Sequence, residues 1–157
     1  MNDKDDNLNK SIRILNCYEE AKKDNSWIEG INNEKEIKEN CELYLNGKKI
    51  DFCYKYKFDK EGKYIIKIMF KKILININCI FMDCNKLLSI DLSNFITNNV
   101  INMSYMFSGC SSLTYLNLSN FDTSNVECMS NMFHKLSSNC KIETNNKKIS
   151  DIRNIQF

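Results

Sequence analysis

The chain has 157 residues, 22 Lys and Arg against 20 Asp and Glu, and a formal charge of +2. The two signs are interspersed, which excludes the basic stripe that marks a nucleic-acid binder. No apolar run reaches the roughly 18 residues of a membrane-spanning helix, and MNDKDDNLNK at the start lacks the apolar stretch of a signal peptide.

Residues 1–10 are polar and are expected to be a disordered tail. Asp3, Asp5 and Asn7 imitate the start of a calcium loop, but that loop needs Gly next and Glu at its twelfth position, where Leu8 and Ile14 stand. SIRILN (11–16) reads as a short strand and YEEAKKDNSW (18–27) as a short helix, followed by a polar loop to about Asn40. In CELYLNGKKIDF, Asn46-Gly47 between alternating apolar residues signals a hairpin. Phe52, Tyr54, Tyr56 and Phe58 then alternate with polar positions, as do Tyr64, Ile66, Ile68 and Phe70 beyond the DKEG turn. The pattern predicts a β-meander with one aromatic face, so that 11–72 forms a β-rich cap with one short helix.

From about residue 73 the chain repeats itself with a step of 26. Phe81, Phe107 and Phe133 align. So do Leu74, Val100 and Val126; Ile77, Met103 and Met129; Ile80, Met106 and Met132; and Ile90, Leu116 and Ile142. Within one unit, Val100, Met103, Met106, Phe107 and Cys110 have the spacing of a helix face. Leu113, Leu116 and Leu118 then follow as LxxLxL, with the last two on one side of a strand. One such unit cannot cover its own apolar face, whereas stacked units can. The expected fold is therefore α/β: a short leucine-rich solenoid of helix–strand units, capped at its first unit by the meander. Two full repeats and one degenerate one occupy 73–148, and 149–157 is left as a tail.

NVINMSYMFSGCSSLTYLNLSNFDTSNVECMSNMF resembles the BspA-like leucine-rich repeats, also catalogued as a mycoplasma lipoprotein repeat family of unknown function. The resemblance covers about half the chain and is of the protist type, with a β-rich segment before the repeats. It implies a curved solenoid used in surface proteins for adhesion or protein binding, with no shared catalytic residues.

The sequence offers little for catalysis. Its one histidine, His134, has no nucleophile motif before it, and no glycine loop cradles phosphate. His134, Cys128 and Cys140 lack metal-site spacing, and the methionine columns read as core. No catalytic residue, metal or cofactor is assigned. The eight cysteines form no CxxC pair and read as reduced thiols packed as small apolar groups, which leans toward the cytoplasm. The resemblance points to a cell surface instead. What remains is the outward strand face. Ser89, Tyr115 and Lys141 form one row; Asp91, Asn117 and Glu143 a second; Ser93, Ser119 and Asn145 a third. Tyr115 is the one large amphipathic side chain there, so a protein partner is expected to centre on it. Asn117-Leu118-Ser119 is also a glycosylation sequon, as is Asn102-Met103-Ser104. The expected function is non-catalytic protein–protein interaction or adhesion. The competing readings are an ordinary wet surface, or a structural fragment of a longer repeat protein.

Overall fold

The computed structural model describes residues 11–92 and 94–156, with side chains as far as Ile152. The tail expected at 1–10, with Asp3, Asp5 and Asn7, and also Ser93 and Phe157, lies outside the described residues.

The first half begins with β1 (Ser11–Arg13) and α1 (Tyr18–Asp24), followed by α2 (Glu34–Asn40) where a loop was expected. In α1 the Cys17 thiol accepts the Glu20 N–H as N-cap, with Glu19 and Glu20 in the first turn and Lys22 and Lys23 in the last. This charge order suits the helix dipole. Then come β2 (Cys41–Leu45), β3 (Lys48–Ile50), β4 (Lys55–Lys57) and β5 (Ile66–Phe70). Asn46 (φ 47°) and Gly47 (φ 83°) are both left-handed, which makes the tight turn between β2 and β3 that the sequence announces. The strands do not form a meander. Two separate sheets arise, β1–β4 and β3–β2–β5, with β5 beside β2 rather than beside β4.

The repeat region corrects the expected architecture. Among the described residues there is no helix between Asn40 and Lys147, and the chain is not a helix–strand solenoid. Each repeat contributes a chain of turns and one short strand: β6 (Ser89–Ile90), β7 (Tyr115–Asn117) and β8 (Lys141–Glu143). A final helix, α3 (Lys147–Gln156), takes up residues read as a tail.

Backbone hydrogen bonding explains why the helical spacing makes no helix. The N–H groups of Ile77, Cys79, Phe81 and Asp83 donate to the carbonyls of Asn102, Ser104, Met106 and Ser108 in the next repeat. Met103, Tyr105, Phe107 and Gly109 do the same toward Cys128, Ser130, Met132 and His134. The alternate N–H groups, as in Met106 to Met103 and Cys110 to Phe107, close four-residue turns. Donors spent on the neighbouring repeat are lost to an i→i−4 ladder. Left-handed residues recur at Cys79, Tyr105 and Asn131, and again at Asp83, Gly109 and Lys135, which also interrupts a helix. Successive turns place every third or fourth side chain inward, so they produce the same apolar spacing.

The columns meet as the 26-residue step requires. The Phe81, Phe107 and Phe133 rings stack at 5.8 and 6.2 Å, tilted by only 10° and 7°. One apolar core runs from Ile14 and Leu15 through these columns to Ile149. Nor is the first repeat closed by a meander. Asn16 donates its N–H to Ile80 O and its side-chain amide to Met82 O, while the Asn33 amide donates to Asn76 O and Asn78 O. These are the carbonyls that a preceding repeat would otherwise occupy.

Candidate protein-interaction face

The outward strand face is built by β6, β7 and β8, which run parallel in that order. Their register sets Ser89 beside Tyr115 and Tyr115 beside Lys141, then Asn117 beside Glu143. Leu116 and Ile142 point the other way into the core, and Leu118 is fully buried. The first expected row is therefore assembled, with all three members exposed.

The second row is partly assembled. Asn117 and Glu143 are in register, whereas Asp91 lies one residue past the end of β6, exposed. Glu143 links the two rows, because the Tyr115 hydroxyl donates to its Oε2 at 2.5 Å. This hydrogen bond pushes the Tyr115 phenol above its ordinary pKa. Asn117 is half-buried and turns its Oδ1 back to accept the Ser119 N–H at 2.9 Å, so part of its polarity is consumed locally. Ser119 is half-buried too, and Asn145 is exposed. The result is a narrow polar surface with one fixed aromatic ring, 37% exposed, at its centre.

The remaining candidate groups are drawn into packing. His134 meets the Trp27 ring edge-on at 6.0 Å, and the Cys128 thiol accepts the Ser104 hydroxyl at 2.9 Å. Among the described residues no three His, Cys, Asp or Glu side chains gather as a metal site. Asn102, in the second sequon, is buried and accepts both the N–H and the hydroxyl of Ser104, which closes it to a glycan in the folded chain.

Residues 57–156 match the family described as Mycoplasma protein of unknown function, DUF285. The chain belongs to that family. The DUF285 region takes in all three repeats, β5 and α3, and leaves Asn16 and Asn33 outside it. No curated protein and no solved structure matches the chain. Among the described residues of this DUF285 member, no helix is long and apolar enough to cross a membrane.

The sequence reading missed a second surface. Leu88 and Ile96 are exposed, and their 26-residue partners are Thr114 and Asp122. Apolar residues confined to the first repeat, in columns that are polar in the second, were the available signal.

Proposed function

We propose that the chain is a non-catalytic protein-binding module that engages its partner through the outward face of β6, β7 and β8. The observation that carries this is the fixed Tyr115 ring. Its hydroxyl is held by Glu143, and Ser89 and Lys141 lie beside it in register. A tyrosine already held in one rotamer loses little conformational entropy on binding, and aromatic side chains of this kind dominate interface energetics. Asp91 and Glu143 supply acidic groups at the rim for a basic partner. The finer resemblance, to BspA-like repeats of the protist type with roles in adhesion at cell surfaces, belongs to the same proposal and rests on the motif residues alone.

The test is affinity measurement on a partner recovered by the wild-type chain. Tyr115→Ala is expected to weaken binding by about 1–3 kcal/mol while the melting temperature stays close to wild type. Wild-type affinity in both Tyr115→Ala and Asp91→Ala would move the interface elsewhere and end the proposal.

A further inference from the structure

A cleft of about 1530 Å³ lies between β5 and β6. Both walls are sheet edges: β5 is the outer strand of β3–β2–β5, and β6 the outer strand of β6–β7–β8. The pairing of β5 fixes which of its backbone groups are spare. Asn46 N–H bonds Ile65 O, and Lys71 N–H bonds Asn40 O, on either side of the β2–β5 ladder. Hydrogen-bonded pairs alternate in an antiparallel ladder, so the odd-numbered residues of β5 bond β2. The N–H and C=O groups of Ile66, Ile68 and Phe70 therefore point away from β2, at an edge that no other strand among the described residues pairs.

The side chains lining the cleft are what a covered edge would carry. Ile65, Met69, Ile73, Leu88 and Ile96 are all more than 40% exposed and all line it. Exposed apolar side chains concentrated at one place mark an interaction site, and an open edge strand is a template for another strand. Three of them come from the first repeat alone: the partners of Ile73, Leu88 and Ile96 in the second repeat are Asn99, Thr114 and Asp122.

Charge selects the occupant. Arg13 and Lys71 also line the cleft, but they are paired with Asp24 and Glu42. Lys63, Lys67, Lys72 and Lys86 line it without an ion pair among the described residues, against the acidic Glu61 and Asp91. A second copy of this chain would bring the same lysines and meet like charge.

We propose that the cleft takes an extended segment of a partner protein, alternating apolar and acidic residues, which adds as a strand to β5. Its backbone pairs with Ile66, Ile68 and Phe70, its apolar side chains cover the exposed isoleucines and leucine, and its carboxylates meet the lysines. Such augmentation draws affinity from main-chain hydrogen bonds and specificity from alternate side chains. Tyr115 does not line this cleft, although Ser89 and Asp91 border both surfaces.

The experiment is selection of a displayed library of random peptides, each about six residues or longer, the length of an ordinary strand, on the whole chain. Affinity of a recovered peptide is then measured by fluorescence anisotropy. Recovered peptides are expected to alternate apolar residues with Asp or Glu. Lys67→Glu together with Lys86→Glu should weaken the peptide at least about tenfold, roughly 1.4 kcal/mol, and Lys135→Glu should not. Methylating alternate backbone nitrogens of the peptide should abolish binding in one of the two possible phases. Peptides without alternation or acidic residues overturn the proposal. So does binding lost in Tyr115→Ala but kept in the lysine variant, or a dimer that buries the cleft.

Discussion

Asn16 and Asn33 are both buried and hold the first repeat's outward carbonyls with side-chain amides. Removing such a donor strands a buried acceptor, at a cost of about 1–3 kcal/mol. Asn33→Ala is thus expected to lower the melting temperature by several degrees, at about 2–4 °C per kcal/mol for a chain of this size; an unchanged value in thermal denaturation would show that those carbonyls find other partners. Gly109 presents a second case. A Cβ there would clash with Asp83 Oδ1. Asp83 and Lys135 hold the same left-handed conformation with side chains, so the contact matters more than φ. Gly109→Ala should therefore destabilise, and Asp83→Ala in the same chain should recover part of the loss. The cysteines separate by environment. Burial pushes the thiols of Cys41, Cys79 and Cys110 up to about 12. At Cys128 burial also acts upward, but hydrogen bonds from Ser104 and Ser130 outweigh it and bring the thiol below its usual value. Because the thiolate is the nucleophile, iodoacetamide should label Cys128 before the others in native protein, as peptide mass mapping would show.

Short elements here depend on neighbours more than on their own propensity. β6 has two residues and β7 and β8 three each, lengths that no periodicity argument detects. The register that aligns them was legible all the same, because the 26-residue step sets Ser89, Tyr115 and Lys141 side by side. The β2–β3 hairpin was equally legible from Asn46-Gly47. The helix expected in each repeat was not present, since inward turns and a helix face give the same apolar spacing, and only the direction of the N–H groups tells them apart. The β3–β2–β5 sheet carries its own electrostatic support. Glu42 on β2 accepts from Lys49 at 2.8 Å and from Tyr44 at 2.9 Å, and pairs with Lys71 at 3.2 Å. The Lys49, Tyr44 and Lys71 hydrogen bonds lower its pKa from 4.5 to about 2. A carboxylate lowered on folding stabilises above its unfolded pKa, and that contribution is lost as pH falls through the folded value. The melting-temperature deficit of Glu42→Gln should therefore be full at neutral pH and shrink between about 4.5 and about 2. A deficit that grew on acidification would contradict this pairing.

Across the whole molecule, one core joins Ile14, Leu15 and Ile37 of the first half to the repeat columns and to Ile149 of α3. A single cooperative transition is expected, with tryptophan fluorescence from Trp27 and far-ultraviolet dichroism coinciding. Two separated transitions would mean that the Asn16 and Asn33 contacts do not couple the halves. The repeat and the polar strand face were readable from residue spacing. The closure of the first repeat by Asn16 and Asn33, and the cleft between β5 and β6, were not, because both depend on contacts between residues far apart in the chain. The repeats bond across to one another rather than along a helix. Hydrogen-bond scalar couplings measured by NMR on the deuterated chain test it directly. The structure predicts correlations from the Phe81 amide to the Met106 carbonyl and from the Phe107 amide to the Met132 carbonyl. Correlations from Phe81 to Ile77 and from Phe107 to Met103, the i→i−4 partners of a helix, would contradict it.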